Sequence, residues 1–229
     1  TLILCSNFIL GQTIINNNNL KKIPNFKVVL LQPNQKILDL TLANNEELYV
    51  NKLINISKPE MYKSIQTLFV WPEGVLSNLD NSKNYKKLFN DNFATNHNIV
   101  LGSVRYEGGG FYNSLVLFNN QAEVLSRYDK INLVPFGEVI PFYNLLEKIN
   151  LKKITFGYGS FSKGGKRKPI TLDINNIKFL PLICYEIIFS GSIDTEKKEY
   201  DFILNISEDG WFNRSIGTIQ HFVHSKYRA

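Results

Sequence analysis

An α/β fold, in one domain from about residue 26 onward, is what the sequence predicts, and three observations predict it. Short β-branched or aromatic runs recur along the chain, segments with helical spacing lie between them, and polar or glycine-containing stretches separate the two. A chain of 229 residues fits one large domain or two small ones and can bury a substantial core. Hydrophobic residues make up 44% and charged residues 20%, which excludes a disordered chain.

The opening "TLILCSNFILG" is apolar for about ten residues, half of the roughly 20 that a membrane-spanning helix needs. It has no basic leader and no small-residue cleavage site, so it makes a poor signal peptide. It reads as a core strand or as the last turns of a transmembrane helix. The Asn tract at 16–19 reads as a linker. With no initiator Met, and with "HFVHSKYRA" stopping inside a helical pattern without a cap, the sequence reads as a fragment.

Strands are expected at "FKVVLLQ" (26–32), "QTLFVWP" (66–72), "NIVLGSV" (98–104), "NSLVLFN" (113–119), "IKFLPLIC" (177–184) and "YDFILNIS" (200–207). Pro181 inside the fifth argues for a bulge or a late start. Helical spacing covers 44–57, through Leu48, Leu53 and Ile54, and 83–97, through Tyr85, Leu88, Phe89 and Phe93. "RYEGGGFYNS" signals a hairpin, and "YGSFSKGGKRKP" is a glycine-rich basic loop. The net charge of +6 is interspersed along the chain, and no nucleic-acid-binding motif accompanies it. Two cysteines, Cys5 and Cys184, make no disulfide framework.

Ionisable residues stand where apolar strands end. Glu73 follows "LFVWP"; Lys130 lies in "RYDKINLVPFGE", which ends in Glu138; Cys184 and Glu186 close the fifth strand. Two apart on a strand, Cys184 and Glu186 would face the same side. Singly, each has a plain structural explanation: a core thiol, a solvated turn lysine, a carboxylate at a helix start. Together they place a nucleophile, a base and a cation at one sheet edge, where α/β proteins bind ligands. A thiol attacks as thiolate, and its ordinary pKa of about 8.5 leaves little anion at neutral pH. A carboxylate that takes the proton, and an ammonium that favours thiolate and oxyanion, supply what is missing. Ser/His/Asp catalysis lacks a G-x-S-x-G motif. His221 and His224 share a helix face, but without placed partners they read as a surface helix rather than a metal site.

"VWPEG", "YDKINLVPFGEVIPF", "LICYEII" and "LNISEDGWFNRSIGTIQHFVHSKYRA" resemble, in order and spacing, the nitrilase-like catalytic domain of the bacterial apolipoprotein N-acyltransferase family, within the carbon–nitrogen hydrolase superfamily. The resemblance implies an αββα sandwich, truncated at its C-terminus, over 26–229, with 1–25 as the end of a membrane segment plus a linker. It implies Glu73 as general base, Lys130 as transition-state cation and Cys184 as nucleophile, supported by Glu138, Tyr185, Glu186 and Trp211. No metal and no cofactor enter the implied reaction. Cys184 takes an acyl chain from a membrane phospholipid as a thioester and passes it to the α-amine of a diacylglyceryl-cysteine apolipoprotein. The implied setting is the bacterial inner membrane, with a monomeric enzyme whose catalytic domain faces the periplasm.

Three departures stand out. The family usually has "SND" where this chain has "SED" (207–209), which adds the Glu208 carboxylate. The tryptophan often found after the family's first "Q-x-N" is missing after Gln32–Asn34. Lys21 and Lys22 after the apolar opening would suggest a cytoplasmic side. A soluble carbon–nitrogen hydrolase with the same triad, using water as acceptor, is the alternative; a non-catalytic lipid-binding module has no need of a base beside a thiol. In the basic loop, Lys163, Lys166, Arg167 and Lys168 beside Phe156, Tyr158 and Phe161 suggest a lid over anionic headgroups.

Overall fold

The computed structural model describes residues 2–17, 25–34, 46–139, 160–173, 176–189, 199–212 and 215–228. One sheet is built of β1 (Phe26–Leu30), β2 (Gln66–Val70), β3 (His97–Glu107), β4 (Gly110–Phe118) and β5 (Val124–Asp129), side by side in chain order. The first three run parallel, and β4 and β5 each turn back on the strand before. A second sheet holds β6 (Ile170–Thr171), β7 (Lys178–Ile183) and β8 (Phe202–Ile206), with β7 and β8 parallel. The helices are α1 (Leu2–Asn17), α2 (Glu46–Ser57), α3 (Lys86–Asn92) and α4 (Gly217–Arg228).

The two-residue period of the strands sorts the side chains into layers. Along β2, Phe69 and Trp71 join Leu53 and Ile54 of α2 and Phe89 of α3, while Leu68 and Val70 face the other way. There they meet Leu115 and Leu117 of β4 and, from the second sheet, Phe179, Ile183, Leu204 and Ile206. The reverse face of β7 buries Leu180 and Leu182 with Ile187. A helical layer, two sheets and a further apolar layer follow in order, as in the expected α/β sandwich. The α4 helix docks on the turn after β7, where Arg228 Nε and Nη2 donate to the carbonyls of Ile187 and Ile188 at 3.2 and 3.3 Å.

This topology sets the site. β5 is two antiparallel steps from β3, so it again runs parallel to β2. Residues just after β2, just after β5 and at the start of β4 therefore share one sheet edge. The ends of β7 and β8 lie at the matching edge of the second sheet, because the inter-sheet cluster joins Ile183 and Ile206 to Val70 and Tyr128.

Several boundaries differ from the sequence reading. The opening segment is helical, which excludes the core-strand alternative; Phe8, Ile9 and Leu10 on it are exposed. Among the described residues no helix is long and apolar enough to cross a membrane. The helix expected over 83–97 ends at Asn92, because Phe93 turns extended and packs its ring 5.2 Å from Phe69. Pro181 neither bulges nor delays β7. It pairs in register with Leu204, and pairing with β6 already stops at Phe179, so that flank has no ladder to interrupt at the proline. β5 is a strand that the sequence reading does not include. It is an edge strand whose side chains are exposed or half-buried except Tyr128, so its alternation is faint. The expected hairpin joins β3 to β4 through Gly108 and Gly109, both at positive φ, as a type I′ turn requires.

Leu115 is fully buried between the two sheets. Leu115→Ala should lower the stability of the intact protein by about 2–5 kcal/mol, measured as an earlier chemical-denaturation midpoint with an unchanged slope.

Candidate active site

Lys130 directly follows β5. Its backbone N–H donates to Asn113 O at 2.8 Å, and its carbonyl accepts from Gly164 N–H at 2.9 Å. The second contact needs a glycine: a Cβ at Gly164 would lie 2.0 Å from the Asp129 carbonyl oxygen. So fixed, the side chain is 1% exposed, and Nζ lies 3.0 Å from Glu138 Oε2 and 3.7 Å from Glu73 Oε1. Burial works against the charge, but Glu73, Cys184 and Glu138 outweigh it and hold the ammonium well above the ordinary lysine range.

Glu73 stands on the turn after β2, packed against β3. A Cβ at Gly102 would fall 2.5 Å from Glu73 Cα, so only glycine lets this turn lie so close to the strand. Gly102 N–H donates to Pro72 O and its carbonyl accepts from Val75 N–H, closing the turn. Glu73 Oε1 accepts from Asn113 Nδ2 at 2.8 Å and Oε2 from Glu208 N–H at 3.0 Å. Glu138 Oε1 accepts from the same Asn113 Nδ2 at 2.7 Å, and Oε2 from Val134 N–H at 2.9 Å. One buried amide thus spaces two carboxylates around one ammonium. Sequence reasoning missed Asn113, which stood unremarked inside an expected strand; an amide side chain ahead of the apolar run in "FYNSLVLF" was the available signal.

Cys184 opens the 3-10 turn Cys184–Ile188 at the end of β7, with φ of +51°. A side chain in this left-handed region costs about 1–3 kcal/mol, and the surrounding bonds must hold it there. Burial, then Glu73, push the thiol up to about 12 against the opposing pull of Lys130 and of a hydrogen bond from Ser207. The resting group is therefore a neutral thiol, with the Glu73 carboxylate near it at the same sheet edge. Its carbonyl accepts from His221 Nε2 at 3.0 Å and Asn205 Nδ2 at 3.3 Å.

His221 is buried, contrary to the surface-helix expectation; His224 is exposed. Its Nδ1 lies 2.8 Å from Asp209 Oδ1, and donor atoms of Cys184, Asp209 and His221 lie within 4.8 Å of one another. Both ring nitrogens are already directed at oxygen acceptors, so these contacts read as hydrogen bonding rather than as a metal ligand set.

The shared face expected for Cys184 and Glu186 is not formed, because the strand ends at Ile183 and the 3-10 turn rotates the two apart. Glu186 is fully buried on its own system. It accepts from Tyr128 Oη at 2.7 Å, from Arg167 Nη2 at 2.8 Å, and from the N–H groups of Ile131, Asn132 and Ile183, each at 3.0 Å. Through Ile131 and Asn132 it ties the Cys184 turn to the residues after Lys130. Arg167, expected among the headgroup-facing cations, is consumed by this pair; Lys163, Lys166 and Lys168 are exposed, and Phe156 and Tyr158 lie outside the described residues. Tyr185 is half-buried with its ring 5.1 Å from Phe189, edge on. Trp211 sits in the 3-10 turn Asp209–Phe212, its side chain outside those described. Glu208 meets Glu73 through its backbone; its side chain accepts from Gly210 N–H at 2.9 Å, and burial raises its pKa.

A carboxylate, an ammonium and a thiol converge at the edge of an α/β sandwich of the nitrilase type, and the comparisons agree on the fold class. The carbon–nitrogen hydrolase family model matches residues 68–229, and the chain belongs to that family. Within it, the chain is similar to curated proteins named apolipoprotein N-acyltransferase. The one from Rhizobium rhizogenes is 34% identical over 71% of this chain and 32% of its own length; that from Rhodopseudomonas palustris is 42% identical over 52% and 22%. The chain spans about a third or less of the length of these relatives. Among solved structures, an amidase from Nesterenkonia sp. superposes with a TM-score of 0.51 at 18% identity, covering 79% of this chain and 64% of that one. A mutant of the same amidase, with the acetamide moiety of fluoroacetamide added covalently at its active-site cysteine, gives 0.52 at 15%, over 83% and 70%. These two likenesses concern the fold.

Removing one partner of a buried ion pair leaves the other charge uncompensated, at a cost of about 3–5 kcal/mol. Arg167→Ala should therefore destabilise the intact protein by that order through Glu186, seen as a lowered unfolding midpoint. Lys166→Ala, on the exposed side of the same loop, should leave the midpoint unchanged.

Proposed function

We propose that this chain carries the acyl-transfer site of an apolipoprotein N-acyltransferase. The observation that carries the reading is the buried Lys130 ammonium, set between Glu73 and Glu138 at the nucleophile, in a chain whose curated relatives bear that name. Glu73 takes the Cys184 proton as the sulfur attacks the ester carbonyl of a phospholipid, forming a C–S bond and a tetrahedral oxyanion. Lys130 donates to that oxyanion. The C–O bond breaks, Glu73 returns the proton to the departing lysophospholipid oxygen, and Cys184 keeps the acyl chain as a thioester. The α-amine of a diacylglyceryl-cysteine apolipoprotein then attacks the thioester; its proton passes through Glu73 to the released thiol, and an amide remains. Glu138 and Asn113 keep Lys130 and Glu73 in place throughout. No cofactor takes part.

Residues 1–25 are the end of a membrane segment and its linker, consistent with the exposed Phe8, Ile9 and Leu10. The enzyme works as a monomer at the bacterial inner membrane with this domain facing the periplasm. A carbon–nitrogen hydrolase using the same triad would pass the acyl group to water instead of an amine.

Incubating the intact protein in phospholipid vesicles, then analysing it by mass spectrometry, should reveal an acyl adduct on Cys184 that a diacylglyceryl-cysteine peptide discharges as an amide. Cys184→Ala should carry no adduct. Discharge at the same rate without the peptide would favour the hydrolase. Lys130→Arg should lose about 10²–10³ in acylation rate, because a planar guanidinium cannot occupy the compact site between the two carboxylates. Near-normal turnover in Lys130→Arg would remove Lys130 from the reaction.

A further inference from the structure

His221 lies on α4, far in sequence from the nucleophile, and the acyl-transfer steps above give it no part. Its two nitrogens both face oxygens that can only accept. The Asp209 carboxylate, 2.8 Å from Nδ1, is ionised, and the Cys184 carbonyl, 3.0 Å from Nε2, has no proton to give. A neutral imidazole carries one N–H and would turn a lone pair toward one of these oxygens. Satisfying both requires the imidazolium.

The contacts continue beyond the ring. Asp209 Oδ1 also accepts from Ser207 Oγ at 2.6 Å, and the Cys184 carbonyl also accepts from Asn205 Nδ2 at 3.3 Å. A chain of groups therefore runs from the carbonyl of Cys184 through His221 and Asp209 to Ser207. Ser207 and Asp209 come from the end of β8, His221 from α4, and Cys184 from the end of β7. The Cys184 carbonyl is thus held from two other elements, by His221 of α4 and by Asn205 of β8. Cys184 needs such a grip, since its φ of +51° is one that a side-chain-bearing residue leaves unless it is held.

We infer that His221 is a positioning residue, doubly protonated by its pairing with Asp209, which fixes the Cys184 backbone in the left-handed conformation and so aims the thiol at Glu73 and Lys130. The inference rests on Cys184 being the nucleophile, as proposed above.

The groups around the ring favour its charge. The hydrogen bond to Asp209 raises the His221 pKa above its ordinary value, burial opposes it, and the Cys184 carbonyl and the more distant Glu73 add to the rise. Phe212, 6.2 Å away, covers one side of the ring with an apolar surface. Asp209 is correspondingly depressed: burial would raise it, but the hydrogen bonds from His221 and Ser207 prevail. A group with a raised folded pKa contributes fully below its ordinary value, about 6.5 for histidine. Its contribution is lost as pH rises through the raised value. For Asp209 the sign is opposite, with loss only in strong acid. The clamp therefore holds at and below the ordinary histidine range and releases as pH rises through the raised value.

Two measurements on the intact protein in detergent micelles test this. Nitrogen-15 NMR of histidine-labelled protein, with His221 assigned by comparison with His221→Gln, should show two protonated ring nitrogens at neutral pH. A neutral ring, with one nitrogen at the lone-pair position, would overturn the inference whatever the enzyme's activity. Acylation of Cys184 from phospholipid, followed against pH, supplies the second arm. His221→Gln should lower the limiting acylation rate by about 10²-fold, the usual consequence of a misplaced reacting group, while leaving the KM for the donor unchanged. Asp209→Asn should move the alkaline limb of the profile down by about one to three pH units. Wild-type acylation rates in both variants would reduce the pair to a structural contact. Absence of any adduct on the wild-type protein would instead overturn the acyl-transfer reading, with the NMR result still deciding the state of His221.

Discussion

A lysine ammonium that is 1% exposed is the constraint around which this protein is arranged. Bringing such a charge out of water costs several kcal/mol unless fixed partners replace its hydration. Here the partners are two carboxylates, Glu73 and Glu138, and they repel each other unless something separates them. The Asn113 amide does so by donating to both. Each partner in turn needs its own backbone geometry: Gly102 for the turn that carries Glu73, and Gly164 for the loop that closes over Lys130. The requirement to bury one cation thus spreads outward into positions with no chemistry of their own.

A second buried ion pair stands at the same edge and does a different task. Glu186 and Arg167 meet below the Cys184 turn, and their hydrogen bonds reach Tyr128, Ile131, Asn132 and Ile183. Tyr128 and Ile183 belong to different sheets, and Ile131 and Asn132 follow β5. The pair therefore fastens the segment after β5, which carries Lys130, to the end of β7, which leads into Cys184, and sets the separation of the two groups. Keeping Glu186 out of the thiol's surroundings matters as well. A further carboxylate beside Cys184 would add to Glu73 and Asp209 in opposing the thiolate.

The thiol rests neutral and strained. In the proposed reaction both properties serve the same step: a neutral thiol does not attack until Glu73 is placed to take its proton, and a backbone held in the left-handed region points the sulfur in one direction. The contacts that hold it come from β8 and α4, so the Cys184 backbone depends on elements that contribute no reacting group to the proposed steps.

The sequence by itself determined the α/β class, most of the strands, and the residues at their ends, because strand alternation and apolar runs are local properties. It also carried enough of "VWPEG", "LVPFGE" and "LICYEII" to indicate the carbon–nitrogen hydrolase family. It did not determine which carboxylate serves which cation. Glu186, two residues from Cys184, looked like its neighbour and is turned away by a 3-10 bend, while Glu73, more than a hundred residues distant, is brought beside it. Arg167 read as one more surface charge in a basic loop until β5 and the Cys184 turn enclosed it. His221 read as a surface residue, and Asn113 as an unremarkable strand position. In each case the deciding fact was what faced the side chain across the fold. Charge compensation in a low-dielectric interior depends on distance in space, and only the packing of the two sheets and α4 sets that distance.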